Sequence, residues 1–144
     1  MKKAYCLMNH PLTPKQETEL KERYNSKIII YPEKELSAKW SQIPATTELD
    51  LSIIRDVVAW LSESAEGDVV IVQGEAGSTF MIADYALKHH LVPLYAVTKR
   101  VETEEIEGET VKRHYVFEHV CFRSYEYYDE TGMAEYMSKS VTAV

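Results

Sequence analysis

Ser78 and Thr79 close a turn, Gln73-Gly74-Glu75-Ala76-Gly77, that leaves the apolar run Val69 to Val72 and enters a segment of helical periodicity. Two glycines, two hydroxyls and unpaired backbone N–H groups at the positive end of a helix dipole make a setting that suits an anion. No Lys precedes the Ser/Thr pair, so the turn is not a P-loop, and the third glycine of the dinucleotide fingerprint is missing. The same residues also describe a ligand-free strand-to-helix turn, with Gly for tight geometry and Ser as the helix N-cap. Glu75 repels a phosphate here unless it points at a sugar hydroxyl or pairs with Arg100. Gln73, uncharged at a strand end, can read a ribose or a base edge.

Other residues offer acid–base or phosphate chemistry. His10 is held extended by Pro11 in the turn Asn9 to Thr13; it can donate to a phosphate or carry a proton, or simply stand in solvent. Arg100 has the planar fork that grips two phosphoryl oxygens and stays charged, unless it is only an edge-strand arginine in water. His89 and His90 end a helix, where a cation complements the dipole, which favours a structural role. His114 and His119 face opposite sides of one strand and cannot share a metal. With no Asp/Glu/His/Cys set at ligand spacing, no metal and no cofactor are expected. Trp40, Tyr95 and Tyr115 could stack an adenine, although aromatic residues at such positions are more often core, and Trp40 could also close over a ligand as a lid.

The elements that must position these residues follow from periodicity. Ala4 to Met8 reads as a strand. Thr13, Pro14 and Gln16 form a capping box that opens a helix to about Tyr24, and Lys27 to Tyr31 is a β-branched strand stopped by Pro32. Glu33 to Glu48 reads mostly as loop. Leu51, Ile54, Val58 and Leu61 line a helix capped near Asp50. After the strand Val69 to Val72 a helix starts near Ser78, with Phe80, Ala83, Ala86 and Leu87 as its buried face. Leu91 to Val97 is the next strand, and Thr98-Lys99-Arg100 is a third turn. Such β-α alternation implies a parallel sheet with helices on both faces, whose strand-to-helix turns gather along its carboxyl edge, where ligands bind. That edge collects Asn9, His10, Thr13, Gln73, Gly74, Gly77, Ser78, Thr79, Thr98 and Arg100 as ligand-binding candidates.

Beyond residue 99 the pattern becomes a β-hairpin, Arg100 to Ile106 and Val111 to Tyr125, around Glu107-Gly108-Glu109. Alternation puts Arg113, Tyr115, Phe117, His119, Cys121 and Arg123 on one face and Lys112, His114, Val116, Val120 and Phe122 on the other. Both faces are half apolar, so both are expected to be covered, and a two-fold homodimer would cover them. The tail after Asp129 reads as a short helix and fraying residues.

The whole chain of 144 residues reads as one α/β domain, with a parallel core over 1–98, a hairpin extension over 99–125 that could carry a dimer contact, and a helix and tail over 126–144. A net charge of −7 argues against a long nucleic acid as partner. Lys99, Arg100, Lys112, Arg113 and Arg123 could still make a local positive pocket for a small anion. Cys6 and Cys121 sit in apolar runs and read as reduced thiols. The first apolar stretch is too short for a signal-peptide core or a membrane span. A cytoplasmic protein without a membrane partner is the expectation.

Three segments together, MNHPLTPKQ, GDVVIVQGEAGSTF and VPLYAVTKR leading to KRHYVFEHVCFRSYE, resemble the small CRISPR-associated ancillary proteins of the Csx-twenty type found beside type III systems. The likeness runs from about Tyr5 to Tyr125. It implies a small Rossmann-like, CARF-like homodimer that recognises cyclic oligoadenylate, with the tetra-adenylate ring first among candidates, and cleaves it to end antiviral signalling. Related small proteins of the group are similar to binders that sequester the ring uncut. Cleavage would be metal-independent: a ribose 2′-hydroxyl attacks the adjacent phosphorus, expels the 5′-oxygen and leaves a 2′,3′-cyclic phosphate. In that scheme Arg100 and Ser78 with Thr79 stabilise the phosphorane oxygens, and His10 or Glu75 carries the proton. Another nucleotide or sugar-phosphate enzyme on the same fold is the remaining alternative.

Overall fold

A computed structural model describes residues 2–142. The chain runs β1 (Lys2–Leu7), α1 (Pro14–Arg23), β2 (Ser26–Ile30), α2 (Lys34–Ser41), α3 (Leu51–Leu61), β3 (Val69–Val72), α4 (Ala76–Lys88), β4 (Val92–Glu107), β5 (Thr110–Ser124) and α5 (Glu130–Thr142). Fraying expected of the last residues falls on Ala143 and Val144, outside the described residues.

The sheet order is β2-β1-β3-β4-β5, parallel except for the antiparallel β4–β5 pair. The alternating sides of β1 explain the layers. Tyr5 and Leu7 join Val70 and Val72 under Trp40 of α2, Val57 of α3 and Ile82 of α4. Ala4 and Cys6 join Val69, Ile71, Leu94 and Phe122 under Leu12 and Leu20, the latter on α1. Three helices therefore cover one face, and among the described residues α1 covers the other. A strand buried on both sides has no polar positions, which is why β3 reads Val-Val-Ile-Val.

Local chemistry sets the helix ends. Thr13 Oγ1 accepts from Gln16 N at 3.2 Å, and Gln16 Oε1 accepts from Thr13 N at 3.0 Å, completing the capping box ahead of Pro14. Asp50 caps α3 through Ser52 N, and the buried face is Ile53, Ile54, Val57 and Leu61, with Leu51 at its exposed start.

Four expectations are corrected. Residues 34–41 are helical, not loop: Leu36 and Trp40 lie one turn apart, and the gain from seating Trp40 in the core outweighs the lack of a side-chain cap. α4 begins at Ala76, not near Ser78, because Glu75 supplies the cap; its buried face is Ser78, Ile82, Ala83 and Ala86, while Phe80 is 72% exposed.

The third correction removes a turn. Thr98, Lys99 and Arg100 lie inside β4, which continues unbroken to Glu107. No Gly, Pro, Asn or Asp interrupts Leu94 to Glu107, and the mixed polarity there reflects two exposed faces. Gly108, at φ +61°, takes the first central place of the two-residue connection Gly108-Glu109.

Last, β5 does not alternate regularly. Val97 pairs with Cys121 and Thr98 with His119, so Val120 is an extra, bulged residue. The bulge turns His119 to the side of Phe122, their rings 4.6 Å apart, instead of the side of Cys121. Beyond it, residues 99–118 project as a two-stranded arm. Among the described residues nothing covers either arm face: Ile106 and Phe117 are 72% and 69% exposed, and Val111, Tyr115 and Val116 are about half exposed. Cys6 and Cys121 are free thiols, Cys6 buried and pushed up to about 12 by that burial.

Candidate functional site

β1 has β2 on one side and β3 on the other, so the winding reverses between β1 and β3. In open α/β sheets that switch point opens a crevice at the carboxyl edge. The turns after β1 and β3 lie side by side there, tied by Gln73 N donating to Leu7 O at 3.0 Å. Asn9, His10, Thr13, Gln73, Gly74 and Gly77 are thus brought together as the alternation implies.

The β3–α4 turn is built around an indole. Trp40 Nε1 donates to Gln73 O at 2.9 Å, and a Cβ on Gly74 would stand 2.7 Å from Nε1. Gly74 is therefore required by the close approach of a buried ring, and Trp40 is core rather than a lid or an adenine platform. Gln73 is equally committed, since its Oε1 accepts from Ala96 N at 3.1 Å and joins the turn to β4.

The anion place at the start of α4 is filled from within. The Glu75 carboxylate accepts from Ser78 N at 2.8 Å and from Gly77 N at 2.9 Å, and these amides hold its carboxyl below the usual range. The Ser78 hydroxyl lies close enough to help keep that carboxylate charged, yet its Oγ and Thr79 Oγ1 make no well-formed hydrogen bond. Ser78 is fully buried. Thr13 is likewise occupied by its capping box.

On the β1 side the groups are freer. Asn9 and His10 are exposed, and His10 Nδ1 lies 3.0 Å from Pro11 O. Leu12 N donates to the Tyr31 hydroxyl, which anchors the end of this turn.

Thr98 and Arg100 lie elsewhere. Ala96 is level with Gln73, so Arg100 is four extended residues further, about 13 Å beyond the sheet edge. In the β4–β5 register Thr98 and Arg100 point to the side of His119 and α1, whereas Ser78 and Thr79 belong to α4 on the opposite face. The Arg100 guanidinium sits 3.7 Å from the Tyr115 ring centroid, and among the described residues it pairs with no carboxylate. Its neighbours do: Lys99 with Glu118, Lys112 with Glu107, Arg113 with Glu102 and Glu104. Tyr95 packs on Tyr125, His89 caps the end of α4 and stacks on Tyr85, and His114 faces Glu105.

A second polar cluster, unsignalled by spacing, roots the arm. His119 Nε2 lies 2.6 Å from Glu19 Oε1; their side chains are 6% and 11% exposed. Glu19 also accepts from Phe122 N at 2.7 Å and from Arg23, while Arg23 reaches Phe122 O. Burial alone would raise the Glu19 carboxyl; the hydrogen bonds from His119, Phe122 N–H and Arg23 overcome it and hold the group below its usual range. These side chains satisfy the outward backbone of an edge strand. Gln16, flagged by the capping box, joins the cluster with its side-chain nitrogen 3.3 Å from His119 Nδ1; Glu19 has no motif, since its partner is 100 positions away.

Comparisons with known proteins give one kinship. Residues 2–123 match the family described as "Uncharacterized protein MJ1673 family". A relative, "Uncharacterized protein MJ1673" of Methanocaldococcus jannaschii, is 29% identical over 129 residues, covering 89% of this chain and 100% of that protein. No solved structure matches the chain.

Proposed function

We propose that this member of the MJ1673 family is a cytoplasmic, homodimeric ring nuclease that binds cyclic oligoadenylate at the β1–β3 switch point and opens it by 2′-hydroxyl attack, switching off type III CRISPR signalling. The observation that carries this reading is the adjacency of the His10 and Gln73–Gly77 turns at the carboxyl edge of the sheet. The likeness to Csx-twenty proteins supplies the ligand class. No helix among the described residues is long and apolar enough to cross a membrane.

The geometry refines the roles. With the Glu75 carboxylate seated on the α4 amides, a phosphate is repelled from that terminus and sits toward the β1 turn, within reach of Asn9 and His10. His10 then carries the proton, withdrawing it from the 2′-hydroxyl as that oxygen bonds to phosphorus, while water protonates the departing 5′-oxygen in line with it. The nucleophile belongs to the substrate, so the protein's contribution is alignment, worth up to about 7–11 kcal/mol in well-oriented systems. Arg100, presented on Tyr115 at the root of the arm, offers charge to the ring's outer phosphates.

A second reading, a binder that sequesters the ring uncut, is favoured by one observation: Ser78 and Arg100 point to opposite faces of the sheet, so no assembled pair of oxyanion donors stands at the turn. Purified protein with excess labelled cyclic tetra-adenylate and EDTA separates the readings. Continued release of linear product with a 2′,3′-cyclic phosphate is expected. Saturation at stoichiometry without product leaves the sequestering role, and absence of binding overturns both.

A further inference from the structure

The hydrogen bonds around His119 dictate where its proton sits. A backbone amide can only donate, so the Gln16 atom facing Thr13 N at 3.0 Å is the amide oxygen, Oε1. The other end of that amide is then the NH2 group. It lies 3.3 Å from His119 Nδ1, which can accept from it only while it carries no hydrogen. The remaining ring hydrogen belongs to Nε2 and is donated to Glu19 Oε1 at 2.6 Å. When the ring is neutral, the capping box of α1 thus selects one tautomer, with the hydrogen on Nε2 facing the Glu19 carboxylate.

We propose that His119 is a proton-operated latch between the root of the β4–β5 arm and the first turn of α1. Protonating Nδ1 sets an N–H against the Gln16 NH2. The relief is rotation of the Gln16 amide, which turns Oε1 to the new N–H and withdraws it from Thr13 N. That undoes half of the capping box, at the Thr13 turn bordering the switch-point crevice. The groups facing the ring set the balance. On α1, Glu19 favours the cation and its partner Arg23 opposes it, Lys15 binds the His119 carbonyl at 2.8 Å, and Glu22 borders the same surface. On β5 and β4, Glu118 is paired with Lys99, and the Cys121 thiol adjoins the bulge. The inference is independent of the ring as ligand.

The test is a ¹⁵N NMR titration of the whole chain from pH 8.5 to 5. At high pH, His119 Nδ1 is expected to resonate as a bare ring nitrogen and Nε2 as a protonated one. On acidification the Thr13 amide shift follows the His119 midpoint, and its protection factor, the exchange rate taken relative to the unprotected amide at the same pH, falls by about two- to tenfold, the range for one neutral hydrogen bond. Gln16→Glu keeps the capping box, since Glu is a favoured residue at that place, and gives Nδ1–H an ionised acceptor. It should therefore raise the His119 midpoint. A proton on Nδ1 at pH 8.5, a His119 that does not titrate in this range, a Thr13 amide indifferent to His119, or an unmoved midpoint in Gln16→Glu each overturns the latch. Should that variant fail to fold, the wild-type titration alone decides.

Discussion

β3 and the outer arm draw on the same kinds of residue and the same backbone ladder, yet they end in opposite surroundings. Val69 to Val72 are sealed between two helical layers, whereas Val111, Val116 and Phe117 face solvent on a ribbon that no helix among the described residues covers. A bare two-stranded ribbon is marginal in water. The arm endures through its continuity with the sheet, its cross-strand ion pairs and the clamp at its root, where Glu19 and Arg23 take up the edge backbone of Phe122. A strand's hydrogen bonds give it shape; what lies across its faces decides how much stability it contributes.

Substitutions on either side of this contrast sharpen it. Trp40→Ala should have the largest effect, about 3–5 kcal/mol, because it empties a buried ring volume and orphans Gln73 O; a urea-melt loss below about 1 kcal/mol would show the core around β3 to be no better packed than the arm. Gly74→Ala comes next, at about 1–3 kcal/mol by the same melt, since its methyl meets a ring that has no room to retreat.

The clamp predicts a pH dependence of known sign. The Glu19 carboxyl is lower in the folded chain than in the unfolded one, so its contribution is complete above the ordinary Glu range, about pH 4.3, and fades as pH falls through the folded value. Glu19→Gln should flatten stability below about pH 5 relative to wild type, as followed by thermal melts; equal slopes would remove Glu19 from the clamp.

Phe117→Ser should change the stability of an isolated chain least, within about 0.5 kcal/mol, because that ring is already in water. Its informative readout is sedimentation. Proposed pairing of two copies through the arm predicts that wild type sediments as a dimer and the variant as a monomer, and a wild type that is monomeric at micromolar concentration breaks that proposal.

Elements with a local physical cause were legible from the chain. The Thr13-Pro14-Gln16 cap, the apolar run of β3, the Asp50 cap and the Gly108 connection each rest on residues within a turn of one another. α2 was hidden because its stability comes from one tryptophan meeting distant partners. The bulge at Val120 was hidden because nothing in KRHYVFEHVCF marks which residue is extra. The candidate site was read halfway: two turns meet at the switch point, but its anion place holds Glu75 and its expected arginine stands on the arm.

By itself the amino-acid order determined the α/β alternation, the starts of α1 and α3 and the meeting of the turns after β1 and β3, since periodicity and capping are set by neighbours a few positions apart. Only the tertiary structure decided that Trp40 fills the β3 turn, that Arg100 and Ser78 lie on different sides, and that His119 meets Glu19 and Gln16. Those outcomes depend on register and on which faces the helices cover, quantities that exist only once segments a hundred residues apart are packed together.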